Sequence, residues 1–105
     1  MAQWAVYQNP SARVRDELPY LVVIQSDLLA SLATRLVIPL ARSMAGPDSL
    51  PRRLVPSFRI RGEMVILLPQ EAGIIAAKAL GKPVASLRDE AHLLIDALDA
   101  VISGI

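Results

Sequence analysis

The chain has 105 residues, of which 53% are hydrophobic and 20% charged, and its formal net charge is +1. This length fits a single domain spanning residues 1–105, and high hydrophobicity with low net charge excludes intrinsic disorder. The absence of cysteine excludes a disulfide framework and a zinc–thiolate site, and it favours a cytoplasmic protein.

The first part of the chain predicts strands separated by turns. Residues 4–7 are rich in strand formers, and the Asn-Pro-Ser sequence at 9–11 has turn chemistry. Residues 20–24 form a nearly continuous apolar run, which is typical of a buried strand. Residues 35–40 predict another strand. Pro39 cannot donate to a ladder, so we expect it at an edge, at a bulge or at the strand's end.

A hairpin and an ambiguous segment follow a predicted loop at residues 45–51. Residues 55–60 and 63–68 flank Arg61-Gly62, where glycine allows a positive φ, and this pattern predicts a β-hairpin. Residues 72–80 fit a strand or a helix by periodicity, and the segment ends at a Gly-Lys-Pro sequence either way.

The C-terminal segment predicts one amphipathic helix. Ser86 with Asp89 three residues later resembles a capping box, and Gly104 stands where a C′ glycine ends a helix. The predicted apolar face consists of Leu87, Ala91, Leu94, Ile95, Leu98 and Ile102, and the polar face of Arg88, His92, Asp96, Asp99 and Ser103. We therefore expect a mostly β fold, with five to seven largely antiparallel strands covered by one C-terminal helix.

The residues offer little catalytic chemistry. The only histidine, His92, has Asp96 four residues later, and such helical neighbours are typical of solvated surface pairs. The sequence has no nucleophile motif, no phosphate-binding glycine loop and no metal-ligand spacing. We expect no catalytic residue, no cofactor and no metal.

Charge is distributed unevenly along the chain. Residues 35–61 carry a formal charge of +5, from six arginines and one aspartate, and residues 86–105 carry −3. The arginines favour either an acidic partner or sheet edges protected against aggregation. The low overall charge gives no expectation of direct nucleic-acid binding. No apolar run approaches a membrane span, and residues 1–6 lack the features of a signal peptide, so we expect no membrane association.

Taken in chain order, several motifs resemble the CcdB family of toxins from bacterial toxin–antitoxin modules. They are Val6-Tyr7, Gln25-Ser26-Asp27 followed by Leu28-Leu29, the Arg-x-Val-Ile-Pro-Leu run at 35–40, a glycine ahead of Val84 and Leu87, and the ending Gly104-Ile105. The resemblance covers essentially the whole chain. It implies an SH3-like barrel with a C-terminal helix, a homodimer and no catalysis of its own.

The resemblance also implies a target and a second partner. Family toxins enter the dimerisation region of the DNA gyrase A subunit and trap the enzyme on cleaved DNA. A cognate antitoxin, whose C-terminal arm is disordered when free, neutralises them. Carried over by position, the gyrase-binding residues are Leu28, Leu29, Asp99, Ile102, Ser103, Gly104 and Ile105.

The sequence departs from the family pattern at two of these positions. Ser103 stands where the family has an anchoring tryptophan, and Asp99 stands where it has an uncharged amide. Serine supplies neither the area nor the stacking of an aromatic anchor. Two alternatives therefore stay open. One is a MazF-like ribonuclease on the same fold, with arginines such as Arg59 and Arg61 holding phosphates. The other is a non-toxic relative that dimerises and binds antitoxin.

Overall fold

A computed structural model describes residues 2–42 and 55–104 of the chain. Within these residues, seven strands form one antiparallel sheet that curls into a nearly closed barrel, accompanied by a C-terminal helix, α1 (Ala91–Ser103). The strands are β1 (Ala5–Gln8), β2 (Tyr20–Val23), β3 (Thr34–Arg42), β4 (Ser57–Ile60), β5 (Glu63–Leu67), β6 (Gly73–Ala76) and β7 (Ala85–Ser86). The predicted fold class is confirmed, and the predicted loop at 45–51 lies outside the described residues.

Strand β3 is the centre of the sheet. The strand order is β4-β5-β3-β2-β1-β7, and β6 also pairs with β3. One edge of β3 pairs with β2, while its other edge pairs with β6 over residues 34–37 and with β5 over residues 40–42. Strands β5 and β6 therefore succeed one another along the same edge of β3.

Each face of the sheet carries a hydrophobic cluster, as side-chain alternation requires. The larger cluster fills the barrel and includes Val22, Ile38, Leu67 and, from α1, Leu94. The smaller cluster lies on the opposite face around Val23 and is flanked by side chains from β6 and the segment after it. The helix thus belongs to the same core as the barrel strands.

Pro39 lies inside the central strand, so the expectation of an edge, a bulge or a strand end is wrong. It pairs with Leu21 of β2, and its carbonyl accepts the N–H of Leu68 at 3.1 Å. The nitrogen of Pro39 faces the junction where β5 has ended and β6 has not begun. A missing donor is tolerated at this junction because neither β5 nor β6 pairs with that edge of β3 there.

The hairpin prediction is confirmed, and the ambiguous segment contains two elements. Arg61 and Gly62 both have positive φ, 51° and 80°, as a two-residue hairpin turn with right-handed strand twist requires. Residues 72–80 form strand β6 followed by a single 3₁₀ turn, Ala77–Ala79. Gly62 was therefore a sufficient signal for the hairpin turn. The alanines at 76, 77 and 79 were a weaker signal, because Ala76 ends β6 and the other two form only one 3₁₀ turn and not a helix.

The C-terminal helix begins later than its predicted cap. A 3₁₀ turn, Arg88–Glu90, precedes α1, and the hydroxyl of Ser86 accepts the N–H of Arg88 at 3.2 Å. The hydroxyl thus contacts the residue before Asp89, and the expected capping box does not form. Gly104 has φ +74° and donates to the carbonyl of Ala100 at 2.9 Å, which confirms the C′ glycine.

The buried side of α1 is rotated from the predicted apolar face. Leu94 is buried as predicted, but Ala97 is fully buried while Ile95 and Ile102 are exposed. Because alanine has no side chain beyond Cβ, its burial brings the helix backbone close to the barrel. The consequence is that Ile95 and Ile102 of the predicted apolar face are exposed, as are two further large apolar residues of α1, Leu93 and Val101.

Candidate functional site

The first predicted site residues lie in the β2–β3 loop, residues 25–33. The hydroxyl of Ser26 accepts the N–H of Leu28 at 3.1 Å and caps a 3₁₀ turn there. One oxygen of the Asp27 carboxylate accepts the backbone N–H groups of residues 2–3, each at 3.1 Å. These polar side chains therefore build the turn and attach it to the start of the chain.

The turn presents apolar side chains to solvent. Leu28 is 93% exposed and Leu29 is 47% exposed, and no residue of the turn Asp27–Leu29 is buried. Leu32, further along the same loop, is half exposed as well. Large apolar side chains clustered on one exposed loop are typical of a protein-contact surface.

The second group of predicted site residues lies at the end of α1. Ile102 is 81% exposed, and Asp99 and Ser103 are exposed beside it. The hydroxyl of Ser103 donates to the carbonyl oxygen of Asp99 at 2.6 Å, so its hydrogen is directed back along the helix. Gly104 ends the helix and is also exposed, whereas Ile105 lies outside the described residues.

Both groups are attached to the same hydrophobic core. Ile24 directly precedes the β2–β3 loop, and it shares the barrel cluster with Leu94 and Ala97 of α1. The loop and the helix therefore hold fixed positions relative to one barrel. Leu28 and Ile102 are also the two most exposed large apolar side chains among the described residues.

The single tryptophan is a core residue. Trp4 is only 9% exposed and belongs to the barrel cluster. Its backbone N–H donates to Val23 at 2.7 Å, and its carbonyl accepts from Leu87 at 2.8 Å. Trp4 therefore joins β1 to the start of the C-terminal segment and presents no aromatic surface to a partner.

Three of the four described arginines of the 35–61 segment, all but the exposed Arg61, bond to the protein's own backbone or to a carboxylate. Arg42 pairs with Glu63 and donates to the carbonyl of Asp16, and the hydrogen bond to Glu63 raises the pKa of Arg42. Arg59 donates to the carbonyl of Gly62 at 3.0 Å, while Arg52 and Arg53 lie outside the described residues. These bonds favour a structural role for the arginines over phosphate binding.

His92 and Asp96 both lie on the exposed side of α1, as the polar-face prediction requires. Among residues 2–42 and 55–104, no group of three or more histidine, aspartate or glutamate side chains is arranged to hold a metal ion. None of the helices in this part of the chain is long and apolar enough to cross a membrane.

Sequence reasoning missed an exposed apolar pair formed by one residue of β6 and one of β3. Ile74 is 74% exposed and lies opposite Leu36 of β3, which is also exposed. Among the described strands, β6 pairs only with β3, so its other side is an edge. Alternation within 73–76 could have identified Ile74 if the segment had been assigned as a strand.

Comparison with known proteins identifies the family. None of the curated protein sequences compared with the chain matches it significantly. The family model described as CcdB protein matches residues 3–104, which is nearly the whole chain. The match includes the β2–β3 loop and the exposed end of α1, as well as every strand of the barrel. The chain therefore belongs to the CcdB family.

Proposed function

We propose that this protein is the toxin of a toxin–antitoxin module and that it poisons DNA gyrase by contact with the A subunit. Membership of the CcdB family supports the toxin assignment. The observation that carries the gyrase proposal is the exposure of Leu28 and Ile102, two positions inferred from the family resemblance. A core of exposed apolar residues held on a rigid scaffold is what a stable protein contact requires.

The energetic basis of the proposed contact is apolar burial. Fully burying a leucine or isoleucine side chain contributes about 1.5–3 kcal/mol. Leu28 and Ile102 are largely solvated in the free chain, so each can gain most of this contribution in a complex, while Leu29, which is 47% exposed, can gain about half of it. Asp99 beside Ile102 adds a negative charge, and we propose that it meets a basic or polar group of the target.

The proposed contact lacks an aromatic anchor. Ser103 presents little apolar area, and its hydroxyl is already bonded to the carbonyl of Asp99. Trp4 is buried in the core and does not substitute for an anchor. On these grounds we expect gyrase binding to depend more strongly on Leu28 and Ile102 than it would with an aromatic residue at position 103.

A second candidate function is a non-toxic relative that binds antitoxin without poisoning gyrase. Ser103 favours this function because it replaces the aromatic anchor of the family. Asp99 favours it because it places a negative charge on the proposed contact face. Antitoxin binding without growth arrest would identify this function.

We also propose that the protein acts as a homodimer. The exposed pair Leu36 and Ile74 at the β6 edge supports this, because burying it against a second copy would remove apolar surface and cover a strand edge. Sedimentation at micromolar concentration tests the proposal, and a stable monomer would contradict it. We propose that a cognate antitoxin with a disordered C-terminal arm neutralises the toxin.

A DNA-cleavage assay with purified gyrase, ATP and this protein tests the main proposal. Accumulation of linear DNA would support gyrase poisoning and indicate that Ser103 is tolerated. No cleavage by the wild type, with cleavage by Ser103→Trp, would favour the non-toxic relative. No cleavage by either protein would contradict gyrase poisoning and direct the search to RNA and to other partners.

A further inference from the structure

The exposed turn in the β2–β3 loop is held in place without a buried side chain. No residue of Asp27–Leu29 is buried, and residues 28–34 are all exposed. Hydrophobic packing therefore does not fix the direction of Leu28. Besides the bonds of Ser26 and Asp27 described above, hydrogen bonds from side chains at the two ends of the loop add order that packing does not supply.

Gln25 supplies these bonds at the start of the loop. The last backbone bond between the two strands runs from the N–H of Ile24 to the carbonyl of Leu36, at 3.0 Å. One residue further on, the side-chain amide of Gln25 continues the pattern. Its oxygen accepts the N–H of Leu36 at 3.0 Å, and its nitrogen donates to the carbonyl of Thr34 at 3.0 Å. A side chain thus takes the place of a peptide group, and the backbone is free to leave the sheet.

Arg35 supplies the bonds at the end of the loop. Its guanidinium donates to the carbonyl oxygens of Ala30, Leu32 and Thr34, at 2.9, 2.6 and 2.9 Å. One planar group with several fixed donors thereby gathers two carbonyls of the loop and the carbonyl of the first residue of β3. Lysine lacks this planar fork, so the geometry depends on arginine specifically.

We propose that Gln25 and Arg35 are positioning residues that fix the direction in which Leu28 and Leu29 are presented to the target. This inference rests on the proposed function, since it concerns the same contact surface. Neither residue needs to touch the target. Each acts by removing conformational freedom from the loop before binding, so that less entropy is lost in the complex.

The first test measures order in the loop without any partner. Three backbone bonds of the loop, donated by the N–H groups of Leu29, Ala30 and Leu32, report on its closure. In Gln25→Met and Arg35→Met, which keep an unbranched side chain, we expect hydrogen exchange at these amides to rise about tenfold or more. Exchange at Val22 and Ile38 should not change. Unchanged exchange in the loop would overturn the proposal.

Arg59→Met is the matched control. Arg59 also donates to a backbone carbonyl, that of Gly62, but it lies in the β4–β5 hairpin and is exposed, whereas Arg35 is half-buried. The chemical change is the same as in Arg35→Met, and the β2–β3 loop is not touched. We expect its loop exchange and its affinity for the gyrase A subunit to equal those of the wild type.

The second test asks whether the order matters for binding. We expect Arg35→Met and Gln25→Met to weaken binding to the purified gyrase A subunit about tenfold, with little change in Tm. Because both residues act through Leu28, Arg35→Met should weaken binding much less when Leu28 is already alanine. Full additivity of the two changes, or unchanged affinity despite faster exchange, would overturn the positioning role.

A failure of the proposed function can be distinguished from a failure of the positioning proposal, because the two are tested by different measurements. If the wild type does not bind the gyrase A subunit, the gyrase proposal is contradicted, and the exchange rates of the loop amides still decide whether Gln25 and Arg35 position Leu28.

Discussion

The backbone N–H of Leu68 donates to the carbonyl oxygen of Pro39 at 3.1 Å, and no bond returns because proline has no N–H. In an antiparallel pair the carbonyl of Leu68 would accept that missing donor. It accepts the N–H of Glu71 at 2.9 Å instead, as a 3₁₀ turn, Pro69–Glu71, begins. Pro39 therefore marks the residue at which β5 leaves the central strand and makes room for β6.

From this geometry we expect Pro39→Ala to keep the fold. The new N–H would face a carbonyl that already has a donor, and the lost proline ring removes some buried area and some rigidity. The expected loss in the free energy of unfolding is about 2 kcal/mol or less. Ala41→Pro is the control, because Ala41 is fully buried and pairs with Ile66 of β5. Urea unfolding should show a clearly larger loss for Ala41→Pro, and the reverse order would contradict this account.

Leu28→Ser and Ile102→Ser should weaken binding to gyrase without destabilising the fold. Both side chains are almost fully solvated, so serine removes no packing. In a complex that buries them, each change should reduce affinity about tenfold to a hundredfold. Met64→Ser is the control, since Met64 is an exposed apolar residue of β5 outside the proposed contact surface. Titration of the gyrase A subunit with each variant measures the effect, and equal affinities for all variants would refute it.

Two glycines allow a matched test of the C-terminal contact. Gly104 and Gly62 have similar positive φ, +74° and +80°, and a Cβ added at either position meets no atom within 4 Å. Gly104→Arg and Gly62→Arg should therefore cost similar stability, about 1–2 kcal/mol each. We expect only Gly104→Arg to abolish growth inhibition in bacteria that produce the protein. Growth inhibition by a well-folded Gly104→Arg variant would count against the C-terminal contact.

The exposed edge of β6 is the proposed dimer contact, and a charged residue there should prevent dimer formation. Ile74→Asp places a charge on the exposed pair with Leu36, and burying that charge in a dimer is strongly unfavourable. We expect this variant to sediment as a folded monomer at concentrations where the wild type is a dimer. Met64→Asp, with the same chemical change on β5, should leave assembly as it is. A dimeric Ile74→Asp variant would place the dimer contact elsewhere.

Asn9 is the one buried polar residue among the described residues, and it organises the long β1–β2 connection. Its side-chain nitrogen donates to the carbonyl of Leu18, and its oxygen accepts the N–H of Ser11, both at 2.9 Å. Asn9→Ala should cost about 1–3 kcal/mol in thermal unfolding, because both partners lose a bond. The neighbouring Gln8 is exposed, and Gln8→Ala should have little effect. Equal effects of the two changes would contradict the role assigned to Asn9.

The sequence predicted the elements whose signals are local. Alternation and Gly62 predicted the hairpin, and Gly104 predicted the helix end, because each depends only on neighbouring residues. The place of Pro39 and the rotation of α1 were not predictable in this way. The first depends on where β3 changes partner, and the second depends on how closely Ala97 lets the helix approach the barrel.

The same distinction holds for the candidate site. The resemblance to the CcdB family supplied Leu28 and Ile102, which the structure finds exposed. The bonds of Gln25 and Arg35 could not be predicted, since they depend on the register that brings Leu36 and Thr34 opposite the end of β2. Residue types alone do not reveal which carbonyl an arginine will reach.

The unburied turn at Asp27–Leu29 has a consequence for how such a surface changes over generations. A residue that contributes nothing to the core can be replaced with little loss of stability, so under the proposed function we expect selection at positions 28 and 29 to act mainly on recognition. The polar residues around them keep the backbone in place whatever those two side chains are. When the partner's surface drifts, this loop can acquire matching side chains one substitution at a time, while the barrel beneath it stays the same.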